Sequence, residues 1–199
     1  MEKCHNIIKN QFRWIILIAV VILPLCKSEF TPKPMGYMRI TLPDKIYTTF
    51  DTTYPYSFEY PVYGEIQPDK GANSEPYWIN IAFPEFDGKI HISYKQVKDN
   101  LDEYLEDSRT LAYKHTIKAD AIIETAISDS VRKVYGLVYE IKGNAASSAQ
   151  FHLTDSNRHF LRGSLYFNVQ PNADSLGPVI EFFKQDIKHL METFEWKYE

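Results

Sequence analysis

Cys26 carries the most legible chemistry in the chain. It closes Leu23-Pro24-Leu25-Cys26, with a leucine three positions before the thiol, the spacing at which a lipoprotein precursor is cut and its cysteine acylated. Leu25 and Pro24 stand where small residues are usual in such a segment. Upstream, Lys3, Lys9 and Arg13 form a basic start, and Trp14–Leu25 supplies twelve apolar residues. That is the layout of an export signal. As a helix the run reaches about 18 Å, well short of a hydrocarbon core of roughly 30 Å. An uncleaved hydrophobic anchor is the alternative. Either reading puts residues 27–199 outside the cytoplasm.

No other reactive side chains assemble into a catalytic set. His5 leaves with the signal, His91 and His152 fall on polar faces of strand-like segments, and His189 falls off the apolar stripe of a helix. Neither HExxH, paired-cysteine nor EF-hand spacing occurs, so no metal is expected. Gly143-Asn144-Ala145-Ala146-Ser147-Ser148 joins two strand-like segments without opening a helix, which makes it a turn rather than a phosphate loop. No serine sits in a G-x-S-x-G elbow. The reading is a protein without enzymatic activity, metal or small-molecule cofactor.

Cationic and aromatic residues do cluster. His115 ends a helical stripe among Arg109, Tyr113, Lys114 and Lys118. There it is either a core-edge histidine satisfied by backbone oxygen and the helix dipole, or a partner contact. Arg158, His159 and Arg162 form a similar group. Arg162 shares a strand face with Phe160 and Tyr166, which either the first helix or another protein covers. Arg109, Tyr113, His115, Arg158 and Arg162 are the candidate partner surface. Five tyrosines also crowd one stretch, Tyr47, Tyr54, Tyr56, Tyr60 and Tyr63. Strand propensity and core packing account for most of them, and stacking on sugar rings is the alternative.

Charge and cysteine usage narrow the partners. The chain has a formal net charge of −4; residues 1–25 hold Lys3, Lys9 and Arg13 against Glu2, so their removal leaves −6. No basic stripe remains to neutralise phosphates, which excludes nucleic acid as the partner. Of the two cysteines, Cys4 leaves with the signal and Cys26 is the lipid site, so no disulfide is available. Stability must come from a core. Residues 27–36, with Pro32 and Pro34, read as an extended tether. The organisation is a signal over 1–25, a tether over 26–36 and one domain over 37–199.

Periodicity supplies the elements that position these residues. Met38, Ile40 and Leu42 alternate, as do Tyr56, Phe58 and Tyr60, and then Tyr77, Ile79, Ile81 and Phe83. Asp87-Gly88 suits a two-residue hairpin turn. The return strand puts Ile90, Ile92 and Tyr94 inward, with His91, Ser93 and Lys95 outward. From about Asp99 the spacing turns helical, with Leu101, Tyr104, Leu105, Ser108, Leu111, Ala112 and His115 on one stripe. Strand-like segments follow over 121–128, 131–142, 149–154 and 158–169, the last with Leu161, Gly163, Leu165, Phe167 and Val169 inward. A second helix carries Leu176, Val179, Ile180, Phe183, Ile187, Leu190, Met191 and Phe194, with Asp174, Ser175 and Pro178 as start signals. This is an α+β fold, a mainly antiparallel sheet with two amphipathic helices packed on it.

Several longer strings carry a resemblance. Thr31-Pro32-Lys33-Pro34-x-Gly36-Tyr37 opens the mature chain, and Tyr104-Leu105-Glu106-Asp107-Ser108 leads into Thr110-Leu111-Ala112-Tyr113-Lys114-His115. Lys142-Gly143-Asn144 and His159-Phe160-Leu161-Arg162-Gly163-x-Leu165-Tyr166-Phe167-Asn168-Val169 follow. From about Thr31 to Trp196 these resemble the GldD family of gliding-motility lipoproteins of Bacteroidetes. The end of the chain also looks like the closing strand and helix of Mog1/PsbP-type domains. The family resemblance implies a cell-envelope lipoprotein, held to a membrane by its N-terminal lipid and facing the periplasm. It further implies work in surface gliding and type IX secretion through contacts with other proteins of that apparatus. A peptidoglycan- or glycan-binding module is the alternative.

Overall fold

Alternating apolar residues fold into strands because every second side chain reaches one face of a pleat. In chain order the elements are β1 (Tyr47–Phe50), β2 (Tyr56–Pro61), β3 (Glu65–Pro68), β4 (Ile79–Phe83), β5 (Gly88–Gln96) and α1 (Leu101–Tyr113). They continue with β6 (Ala119–Asp129), β7 (Val134–Gly143), β8 (Ser147–Thr154), β9 (His159–Phe167), α2 (Ala173–Glu192) and β10 (Glu195–Trp196). The computed structural model describes residues 40–169 and 173–198. Cys26, the segments 1–25 and 26–36, and Met38 lie outside the described residues.

Seven strands form one antiparallel sheet in the order β3-β4-β5-β9-β8-β7-β6, and β1-β2-β10 form a smaller one. The large sheet has two unlike faces. Across its inner face run Ile79, Ile92, Gly163, Phe151, Val138 and Thr125, paired strand to strand. Val179, Phe182, Phe183, Ile187, Leu190 and Met191 of α2 belong to the same buried cluster as this face, and so do Phe50, Tyr56 and Phe58 of the small sheet. Phe183 lies 4.4 Å from Phe83, ring centre to ring centre. Gly163 is required here: a Cβ on it would come within 2.1 Å of the Phe151 ring.

The outer face is polar. Gln67, Asn80, His91, Ser164, Gln150, Tyr139 and Glu124 stand side by side across all seven strands. Among the described residues α1 covers it, lying over β8 and β9. The α1 stripe expected from the sequence is shallow: Ser108 and Ala112 are buried, whereas Leu111 is 37% exposed.

Several expectations shift. Residues 40–46 contain no strand, because Pro43 has no N–H for a ladder; Leu42 packs on the core from a coil, and pairing starts at Tyr47. Tyr77 has φ 67° and lies outside β4 instead of heading its inner face. The β4–β5 connection is a 3-10 turn over Pro84–Phe86 with Asp87 at φ 46°, and Gly88 already pairs with Phe83. His115 sits in a 3-10 turn (Lys114–Ile117) beyond the end of α1. Val169 is exposed past the end of β9, and Pro178 lies inside α2, which begins at Ala173. The short strands β1, β3 and β10 exist through their partners and have no periodicity of their own.

Candidate functional site

The space between α1 and the sheet is where the polar residues of the outer face become interior. Small residues on α1 make this possible, since Ser108 and Ala112, one turn apart, let the helix approach closely. Tyr104 packs on Phe160 with ring centres 5.4 Å apart, and Ser108 Oγ lies 3.3 Å from His152 Nδ1. Beneath them Arg162 donates from Nη2 to Gln150 Oε1. Arg162 Nε and Gln150 Nε2 are buried and have no partner. Among the described residues no carboxylate forms an ion pair with Arg162.

That isolated charge shapes its surroundings. Burial pushes the Arg162 guanidinium below its ordinary value, with only Tyr166 acting the other way. His152 is pushed down to about 4, first by burial and then by the Arg162 charge. His115 is lowered by the same two causes in the same order. His91 is lowered by burial and by Lys89 and Arg162, against an opposing pull from Asp69. All three histidines are therefore held toward their neutral form, and among the described residues Arg162 has no ion-pair partner. Removing even part of a charge from water without pairing it is costly.

Four of the five sequence candidates converge here. Arg109 and Tyr113 are on the exposed side of α1, with the guanidinium carbon 5.6 Å from the tyrosine ring centre. The Tyr113 hydroxyl donates to Glu124 Oε1 of β6 at 2.9 Å, a bond that raises its pKa. His115 feels the Arg162 charge from the turn that follows α1. Arg158 is elsewhere. It belongs to the β8–β9 turn, where Asp155 Oδ1 accepts the backbone N–H groups of Asn157, Arg158 and His159. It lines a cavity of about 480 Å³ with Tyr54, Tyr77, Tyr94, His159 and Tyr198. Sequence reasoning missed Gln150 and Ser164, because polar residues on a strand face read as solvated, whereas Ser108 falls on the buried stripe where its spacing puts it.

The tyrosine cluster is mostly structural. The Tyr47 and Tyr63 hydroxyls donate to the two oxygens of Asp186, at 3.0 and 2.6 Å, and Lys45 Nζ lies 2.7 Å from the same carboxylate. Asp186 is 1% exposed, so this group pins residues 45–63 to α2 from the inside. Burial and the Asp186 charge push Tyr47 up to about 12 and Tyr63 further in the same direction. Tyr56 is fully buried and donates to the Tyr77 carbonyl. Tyr54 opens on the cavity beside Arg158. His189, the remaining histidine of interest, pairs with Glu59 at 2.7 Å and stacks on Tyr47. Among the described residues no three His, Cys, Asp or Glu side chains are grouped to hold a metal ion, and no helix is long and apolar enough to cross a membrane.

Comparison with known proteins gives a family. A family model described as gliding motility lipoprotein GldD matches residues 27–196. Among curated proteins none matches. The solution structure of cyanobacterial PsbP (CyanoP) from Synechocystis sp. PCC 6803 superposes with a TM-score of 0.46 at 13% identity, covering 82% of this chain and 99% of that one. The chain belongs to the gliding motility lipoprotein GldD family.

Proposed function

We propose that this member of the GldD family is a non-enzymatic envelope lipoprotein that serves gliding and the linked type IX secretion by binding other proteins of that apparatus. Its signal over 1–25 is removed and Cys26 is acylated. The segment 26–36 tethers the domain 37–199, which faces the periplasm. Lipid anchoring confines the domain near one membrane and raises its effective concentration for neighbours there. Stable anchoring needs more than one acyl chain.

The observation that carries this reading is Arg162, a half-buried cation whose Nε is buried without a partner and which forms no ion pair with a carboxylate among the described residues. Arg109, Tyr113 and His115 surround the same layer from α1 and its following turn. The partner this surface fits presents a carboxylate, because only an anion completes the charge that the domain leaves open. Long cationic and aromatic side chains are also the ones that dominate interface energies.

The test replaces Arg162 or Tyr113 by alanine, singly and together, and compares colony spreading and secreted cargo with protein abundance and protease resistance. Loss of spreading at normal abundance supports the reading. Full motility in all three strains removes it, and parallel loss of protein marks the residues as structural. The glycan alternative rests on the cavity lined by Tyr54, Tyr77 and Tyr198. Retention on peptidoglycan that Tyr54→Ala abolishes would favour it.

A further inference from the structure

We propose that the free edge of β6 is a strand-docking site, which takes an extended segment of a different protein as the next strand of the sheet. That segment has apolar side chains on the inner face and basic ones on the outer face. The site lies beside the surface on α1, meeting it at the Tyr113–Glu124 hydrogen bond, and goes beyond that reading.

The two ends of the sheet differ in how they are guarded. At one end β3 has four residues and stops at Pro68, a short strand closed by a residue without an N–H. At the other end β6 runs for eleven residues, Ala119–Asp129, with no proline, lysine or arginine and with most of its side chains exposed. One side of β6 pairs with β7, and its only register shift is at Ala119/Ala121, so Ala121–Asp129 is unbroken. Among the described residues nothing pairs with its other side. A long, regular row of unpaired N–H and C=O groups is a template for another strand.

A second observation says what that strand looks like. Beside the edge, on the inner face, a cavity of about 470 Å³ opens between β6–β7 and α2, lined in its apolar part by Thr125, Ile127, Val138, Ala149, Ile187 and Met191. A strand added to β6 sets every second side chain over this trough, and pockets for alternate side chains are how such additions gain specificity. On the strand itself the charges are Asp120, Glu124 and Asp129, of which Asp129 is already paired with Arg132. Glu124 accepts the Tyr113 hydroxyl but, like Asp120, forms no ion pair among the described residues, so lysine or arginine on the added strand complements both.

The same charges argue against a second copy. A second copy brings no lysine or arginine on β6 to meet these carboxylates. Antiparallel pairing of two β6 edges about Glu124 also sets that carboxylate opposite its own copy, and like charges directly across strands are destabilising.

The test uses the full chain in detergent and a capped, fluorescent peptide of alternating valine and lysine, as long as β6. Binding is read by anisotropy and its place by amide hydrogen exchange. The expected result is binding that slows exchange along β6. Methylating alternate backbone nitrogens, with side chains unchanged, weakens binding by about tenfold or more through lost ladder bonds. Ile123→Lys weakens it similarly with thermal unfolding unaltered, since Ile123 is already 41% exposed. Arg162→Ala binds the peptide as the parent does, which separates this site from the surface on α1. Absence of binding, equal affinity of the methylated peptide, or protection on α1 instead of β6 overturns the proposal. So does a dimer of the unliganded chain that Ile123→Lys dissolves.

Discussion

On one face of the large sheet α2 packs rings against rings; on the other α1 lays serine and alanine over a polar floor. Phe183 on the inner face meets Phe83, Phe86 and Phe167, with ring centres 4.4, 5.3 and 5.7 Å away. Ser108 on the outer face meets His152, and next to them Arg162 Nε and Gln150 Nε2 have no partner. Both faces are covered by one helix, yet the helices do different work. The inner face converts burial into stability. The outer face keeps groups whose pairing is unfinished, and unfinished pairing in a buried place is what a partner can complete. Perturbing each face in turn therefore tests whether folding and the proposed recognition separate.

The largest effect is expected on the inner face. Phe183 is fully buried, and shortening a buried phenylalanine to alanine costs about 3–5 kcal/mol. Phe183→Asp adds an unpaired buried charge to that loss. Against total stabilities of roughly 5–15 kcal/mol the domain should be largely unfolded. Circular dichroism and protease resistance measure this directly. A melting temperature equal to that of the parent would show that α2 does not hold the sheet, and the contrast between the faces would fail.

An intermediate effect is expected from acid on the outer face. The His152 value of about 4 in the folded protein lies below the ordinary 6.5, with burial the main cause and Arg162 the second. Below pH 6.5 the unfolded chain takes up this proton before the folded one does. Stability is thus fully present above pH 6.5, falls as the pH drops toward 4 and levels off below that. The drop is at most about 3 kcal/mol for this residue. His91, His115 and His159 are lowered too and act in the same direction. Urea midpoints between pH 7 and pH 4 should fall more steeply in the parent than in His152→Phe. Parallel lines for the two proteins would place the acid sensitivity elsewhere.

How far the sequence revealed this division depends on the range of the forces involved. The β4–β5 hairpin, the alternation in β9 and the α2 stripe were legible because each side chain signals its own burial. Ile79, Ile81, Ile90 and Ile92 are all buried, as that alternation requires. Strands β1 and β10 were not legible, since Tyr47 pairs with Pro61 and Trp196 with Tyr56 only after the chain has folded. The outer face was half legible. Arg162, Phe160 and Tyr166 share it as their spacing says, and α1 does cover β9. Gln150 at 1% exposure was missed, because a buried polar residue and a solvated one leave the same mark in a sequence. The spacing of Ser108 and Ala112 was the available signal: two small residues one turn apart mean close approach. Arg158 was misjoined, because neighbours in sequence at a strand turn point to different parts of the molecule.

The smallest effect on stability, and the sharpest on function, is expected from Arg162→Met. Methionine keeps much of the length and removes the charge. Replacing buried ionic groups by apolar ones of similar size is often neutral or stabilising by about 1–4 kcal/mol. Here Gln150 Oε1 also loses its donor, a cost of about 1–3 kcal/mol for a buried acceptor left alone. The two terms nearly cancel, so the unfolding midpoint should stay close to that of the parent. The His152 titration should move upward at the same time, because one of the two causes lowering it has been removed while burial remains. Nuclear magnetic resonance of the imidazole follows that movement independently of stability. A midpoint that collapses would mean that Arg162 holds the outer face together, which would make both faces structural. A stable variant with a raised His152 value and lost colony spreading would instead mean that the cation is retained for what it binds.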